Sequence, residues 1–428
     1  MLADPNDYSR EDRAALFPMN DPDEFIENRL HLDTSVLTPE AQEVMEGAAV
    51  SVLLPHIQSF RHGARILHVD TRWALEQGDT ERATQNIEAI FGMGRQAADH
   101  PFLVCGLVGV ALHGIGYDII DEVIENHFDV FSAEEFERMQ IAVGRDSIHD
   151  FINMEGERAM MKDFIQRIYT DDGNGDGRVT PVGVNLMVNF HVIWGSQNQE
   201  LTGLLPRALE RIAAPVSLAV MATRKQMTDK TEELMEIVDN KFHLPYHEED
   251  FFEVEEIVVN AGVQYLLIDQ LFPAYQSVRN AMFRTIGNQS GVEAALAALR
   301  YEKINGHPPE SLEELVGEYL AEMPKDVVNG QPLNYIRTED GFKVYSVGWD
   351  GDDDGGRPIL FIEDGTHDSH TLTEQARKEF ASRPMPASNF QLGLRESDGD
   401  WVIWPRLSGQ DDEYDARASV EPADSMDN

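Results

Sequence analysis

Three features of this 428-residue sequence predict an α+β multidomain protein, a mainly helical part followed by a long helix and a small antiparallel sheet. Apolar residues recur at helical spacing from about Thr38 to Leu271, in runs joined by short turns, which predicts antiparallel helical hairpins. A further long run, Ser277 to Asn305, reads as one helix. Beyond Gly330 come short β-rich runs separated by Gly, Pro and Asp, the pattern of hairpins. These features divide the chain into an extended arm (1–37), an all-α domain (38–272), an α+β module (273–407) and an acidic tail (408–428).

The arm is rich in Asp, Asn and Pro, with one short helix expected near Asp23–Leu30. Thr38-Pro-Glu is a helix-start signal, and the helical run it opens is broken or kinked at Pro55 before reaching Trp73. Gly78-Asp-Thr80 is a turn between helices. Gly78 suits a left-handed helix end, and Asp79 or Thr80 can cap the next helix. Helical patterning continues through Asp99, 102–126, Ser132–His149 and Phe151–Tyr169, with Glu134 and Glu135 after Ser132 fitting a helix start. The apolar stretch Pro101–Ile120 is about as long as a membrane span. His113 and Asp118 interrupt it, so it reads as a central buried helix whose Gly106 and Gly109 allow close packing. Further helices are expected at Gly183–Trp194, Leu201–Ile212, Pro215–Phe242 and Glu248–Leu271. In the module a short helix capped at Ser311 precedes strands at Leu333–Arg337, Phe342–Ser346 and Pro358–Ile362. A short helix at Leu372–Ser382 and a last hairpin, Asn389–Arg395 with Trp401–Pro405, follow. Residues 408–428 carry acidic residues and almost no apolar anchor, the composition of a disordered tail.

Net charge is −43, from 77 acidic and 34 basic residues. That field repels nucleic acid and anionic membranes and favours cations. The single Cys105 excludes an internal disulfide and any Cys-based zinc site. No secretory leader is visible in residues 1–35 and no direct membrane insertion is expected. The protein would face the envelope or periplasm if an anchor precedes this chain, and would be cytoplasmic otherwise. Serine-hydrolase, zinc-protease, phosphate-loop and dinucleotide motifs are absent from the sequence.

Two acidic loops are candidates for a hard cation. Asp172-Gly-Asn174-Gly-Asp176-Gly177, inside the segment 171–180, has oxygen side chains at positions 1, 3 and 5 and glycine at 6, as a calcium loop needs. Its twelfth position, where a bidentate carboxylate belongs, is Gly183. The second loop is Asp350-Gly-Asp352-Asp353-Asp354-Gly-Gly356. Four carboxylates within five residues repel one another unless a cation lies between them. His243 and His247 stand four apart, but Pro245 between them prevents the helix that would aim both at zinc. His56, Arg61, His62, Arg65, His68 and Arg72 form the one basic-leaning helix face, expected to pair with acidic residues elsewhere.

Residues 277–356 resemble the globular domain of the type II secretion major pseudopilin. The resemblance rests on the long helix, then Gly306-His-Pro-Pro309-Glu-Ser-Leu312-Glu-Glu-Leu315, Pro324-Lys-Asp326, Gly330-Gln-Pro332-Leu-Asn-Tyr335 and Tyr345-Ser346-Val-Gly348-Trp-Asp350-Gly351. It implies a structural calcium ion held in the last of these segments by Ser346, Asp350 and the nearby acids Asp352, Asp353 and Asp354. A true pseudopilin opens with a processed leader and an apolar helix, whereas here about 275 residues precede the module. The order of parts along the whole chain is similar to uncharacterised proteins of planctomycete-type bacteria.

The function expected from this is a non-enzymatic scaffold that docks an unidentified protein partner, with a calcium-stabilised module linked to envelope or secretion assembly. Neither the partner nor the oligomeric state is written in the sequence. The alternative is a hydrolase using acidic residues, with or without a metal, in the helical domain. A third reading, a calcium sensor, would use both loops.

Overall fold

The computed structural model describes residues 37–47, 55–193, 221–242, 244, 263–265, 268, 275–338, 341–348, 351–357 and 400–405. Among them the fold is α+β, nine α-helices and one three-stranded antiparallel sheet. The helices are α1 (Pro39–Gly47), α2 (Pro55–Glu76), α3 (Thr80–Ala98), α4 (Leu103–His127) and α5 (Ala133–Gly144), then α6 (Glu155–Ile168), α7 (Pro181–Ile193), α8 (Arg224–Phe242) and α9 (Tyr275–Asn305). The strands are β1 (Asn334–Thr338), β2 (Gly341–Ser346) and β3 (Trp401–Trp404).

These elements form two compact units. One holds α1, α6 from Ala159 onward, α7 and α8 as far as Glu232; the other holds α2 to α5, α9 and the sheet. α9 and the sheet thus fall in the same unit as the first helical hairpins.

Local rules explain most helix ends. Pro39 and Pro181 each open a helix, where a missing N–H costs nothing. Pro55 is the first described residue of α2, and residues 48–54 before it lie outside the described residues. Gly78 closes α2 at φ 72°, and the Asp79 carboxylate then accepts the Arg82 N–H at 3.1 Å to start α3. Ser132 and Glu135 cap α5 reciprocally, each side chain accepting the other residue's backbone N–H. α5 ends at Gly144, short of the expected His149, and a 3-10 turn (Ile148–Phe151) follows. The segment capped at Ser311 is also a single 3-10 turn, Leu312–Leu315, and the Ser311 side chain makes no cap bond. α8 begins at Arg224, later than Pro215. There Thr223 and Gln226 exchange hydrogen bonds between side chain and backbone N–H, which stops the helix from extending backward.

α4 is the central helix of its unit. The segment Leu103–Val130 is long and apolar enough to cross a membrane, yet 67% of its most apolar stretch is buried within the fold. Its glycines set the packing distance against α3. A Cβ at Gly109 would lie 2.8 Å from the Gly94 carbonyl oxygen, so the two backbones touch. His113 is fully buried, with Phe91 and Phe151 packed edge-on to its ring and Nδ1 3.0 Å from the Gly109 carbonyl oxygen. Burial pushes this histidine down to about 4, so it sits neutral in the core. Cys105 is buried as well, a small hydrophobe. The basic face of α2 turns toward α4, where His68 and Arg72 both pair with Glu122, at 2.9 and 2.6 Å.

α9 is buried on two sides. Val292, Ala294, Ala295, Leu296, Ala297, Ala298 and Leu299 are all 5% exposed or less. A helix apolar all round belongs inside, and small residues let neighbours approach from both sides. α4 and α5 pack against it, as do β2 and β3. Ile403 on β3 lies over Gly291, where a Cβ would come within 2.4 Å of it. One hydrophobic core consequently runs from Phe91 and Tyr117 through α9 to Phe342, Val344 and Ile403.

The sheet order is β1-β2-β3, with Tyr335 opposite Val344 and Tyr345 opposite Val402. Trp401–Pro405, expected in a hairpin with Asn389–Arg395, supplies β3, which pairs with β2. The expected elements at Asp23–Leu30, Leu201–Ile212, Pro358–Ile362, Leu372–Ser382 and Asn389–Arg395 lie outside the described residues, as do His243, His247 and the tail. So does Glu248–Leu271 apart from a 3-10 turn at Val263–Tyr265 and Ile268.

Candidate functional site

The two acidic loops differ in how their carboxylates are used. In the first loop, Asp172 Oδ1 accepts the N–H of Asn174 at 2.8 Å and of Asp176 at 3.1 Å. Asp176 Oδ1 accepts from Gly177 at 2.8 Å and from Lys225 at 3.0 Å, the latter in the first turn of α8. Asp171 accepts the Gly173 N–H and pairs with Arg224 at 2.7 Å. These N–H groups, with Arg224 second for Asp171, hold Asp171 and Asp176 below the usual carboxylate range. Asn174 takes part in the turn through its backbone N–H, which Asp172 accepts. At the twelfth position a Cβ on Gly183 would come within 2.8 Å of the Ile168 carbonyl oxygen, so a reaching carboxylate has no room there.

The second loop is crowded instead of neutralised. Asp350 lies outside the described residues. Asp353 Oδ1 accepts from the Tyr345 hydroxyl at 3.1 Å and from the Gly355 N–H at 2.9 Å. Asp354 Oδ1 pairs with Arg357 at 2.8 Å, while its Oδ2 is shut off from solvent and meets no hydrogen-bond donor among the described residues. Asp352 is half-buried beside them. The chain then brings in Asp400, fully buried, whose two oxygens accept the N–H groups of Asp354 and Gly356 at 3.2 and 2.7 Å. Burial pushes Asp400 up, and Asp353 and Asp354 add to that against the two N–H bonds. Lys343, through the Gly356 carbonyl at 3.0 Å, is the second cation at this turn besides Arg357. Among the described residues, four carboxylates against two cations leave an excess of negative charge that one divalent ion would offset.

Ser346 is not part of that turn. Its hydroxyl, fully buried, donates to Asp326 Oδ1 at 2.8 Å and accepts the Gly348 N–H. Asp326, 1% exposed, also accepts from Val328 and Val347. This carboxylate ties the Pro324-Lys-Asp326 segment to the end of β2 and is saturated by its donors. The Ser346 hydroxyl is thus engaged by Asp326 and the Gly348 N–H, while Asp352, Asp353, Asp354 and Asp400 gather at the turn. Asp400 was not among the residues expected at the site from the sequence, lying between the two strands of the expected last hairpin, and Asp326 figured there only as a motif position. Among the described residues no group of three or more His, Cys, Asp or Glu side chains is arranged to hold a metal ion.

A separate cleft of about 640 Å³ lies in the unit of α9, between one face of that helix, the end of α5 and residues 320–330. Its acidic residues are Asp146, Glu293, Glu322 and Asp326. Asp146 pairs with Arg95 at 2.9 Å, and His149 Nδ1 lies 3.4 Å from the Phe242 carbonyl oxygen. The hydrolase alternative placed its acids in residues 38–272. The cleft carboxylates that remain, Glu293 and Glu322, lie beyond that segment.

Comparison of the chain with known protein families, with curated proteins and with solved structures finds no match.

Proposed function

We propose that this chain is a non-enzymatic interaction scaffold whose C-terminal, pseudopilin-like module carries a structural calcium ion, in a role linked to envelope or secretion assembly. The observation that carries the calcium reading is Asp354 Oδ2, enclosed with no donor among the described residues in a turn that also holds Asp352, Asp353 and the buried Asp400. An ion there would offset the mutual repulsion of these groups and fix the turn to β3. The first loop already spends its oxygens on backbone N–H groups and Arg224, so the reading assigns it no ion. A scaffold needs a docking face. Ile66, Val69 and Trp73 on α2 support one, since they lie at helical spacing on one side and are 59%, 56% and 51% exposed.

The test is calorimetric calcium titration of the full chain, with thermal melts at each calcium level. One bound ion and a raised unfolding midpoint are expected. Asp354→Asn should weaken binding about tenfold or more, as loss of a charged ligand does, while Asp172→Asn should leave it unchanged. A melt indifferent to calcium would remove this reading.

A further inference from the structure

The cleft beside α9 contains a carboxylate that its surroundings leave uncompensated. Glu293 is partly buried, and among the described residues no hydrogen bond or ion pair reaches it. Its carboxyl group packs directly on Gly144, where an added Cβ would lie 2.8 Å from Oε1. Gly144 is the last residue of α5, so the carboxylate stands at the negative end of that helix. Gln289 locks this contact, its side-chain amide donating to the carbonyls of Val143 and Asp146, both at 2.7 Å. The charged neighbour acting on Glu293 is another carboxylate, Glu322, exposed at the rim. Burial first and Glu322 second push Glu293 up. Arg145, Arg279 and Lys325 also line the cleft, and none of the three forms an ion pair with Glu293. Two carboxylates and a helix C-terminus thus make one end of the cleft negative.

Part of the wall is apolar, although the buried Arg279 lies on the same face of α9. Met282, Phe283 and Ile286 follow the same face of α9, and Leu320 faces them across the cleft. A small hydrated metal ion gains nothing from that wall. An ammonium or guanidinium group on an apolar stem gains from both, its charge at Glu293 and its methylenes along the wall.

We propose that this cleft binds an organic cation of that kind, either a free alkylamine or a lysine or arginine side chain of a partner protein, with Glu293 as the anchoring carboxylate and Glu322 as its rim partner. The site is independent of the calcium turn, and the test keeps the two apart. Calorimetry on the full chain would be run in saturating calcium with two probes, n-hexylamine and the blocked peptide acetyl-Ala-Lys-Ala-amide. Both should bind, and Glu293→Gln should weaken each about tenfold or more, with Glu322→Gln weakening them less. Tighter binding of the peptide would assign the cleft to a basic side chain of a protein, and tighter binding of hexylamine to a free amine. An unchanged melting midpoint in Glu293→Gln separates lost recognition from lost folding; if that variant melts early, Glu322→Gln carries the test. Failure of both probes to bind the native chain, or equal binding by the Gln variants, overturns the proposal.

Discussion

The loops at Asp172–Gly177 and Asp352–Gly356 have nearly the same composition and opposite electrostatics. In the first, the carboxylates of Asp171, Asp172 and Asp176 accept backbone N–H groups, and Asp171 also holds Arg224. In the second, Asp400 arrives from 44 residues beyond Gly356 and adds a buried charge to an acidic turn. Acidity by itself therefore does not mark an ion site. What matters is whether the fold supplies enough donors and cations for the carboxylates it collects, and only the second loop falls short.

The largest effect expected from this contrast is at Asp400. Asp400→Asn would set an amide N–H₂ against one of the N–H groups of Asp354 or Gly356, leaving a buried donor unpaired. That costs about 1–3 kcal/mol, seen as a lower urea midpoint in the fluorescence of Trp401 and Trp404. A change within about 0.5 kcal/mol would mean the turn behaves as ordinary surface and would break the comparison.

A pH titration sharpens it further. Asp171 and Asp176 titrate below the ordinary 3.8, so the stability they lend is present above that value and is lost only as pH falls through their depressed values. Asp400 titrates above 3.8; its cost is present at neutral pH and is relieved as pH falls through its raised value. Carbon-13 carboxyl shifts of the calcium-free chain should show Asp400 taking up its proton first, and calcium should delay that uptake. The reverse order would contradict the contrast.

The smallest effect is expected at Arg224. Arg224→Ala removes the cation from Asp171 but leaves the Gly173 N–H in place, and Asp171 is exposed. The thermal midpoint should fall, by less than for Asp400→Asn. A larger fall would mean that the ion pair, and not the backbone N–H groups, holds the first loop.

Much of the fold follows from short-range rules, which is why it was legible in the chain. The Gly78-Asp79 turn, the Ser132–Glu135 capping box, the α4 glycines and β2 each depend on residues within a few positions of one another, or on a repeating pattern. The calcium candidates were legible only as acidic runs. Ser346 matched a motif, but its hydroxyl is committed to Asp326, 20 residues away.

The amino-acid sequence by itself determined where helices start and stop, which stretch is most apolar and where acidic residues crowd, because capping, turn formation and periodicity act over one or two turns of chain. Tertiary structure decided that β3 pairs with β2, that α9 shares a core with α4 and α5, and that Asp400 joins the second loop. It also built the cleft in which Glu293 has no hydrogen bond or ion pair among the described residues. Contacts such as Gln140 with the Tyr319 carbonyl span 179 residues, and the charge a carboxylate feels is set by whatever such contacts bring beside it.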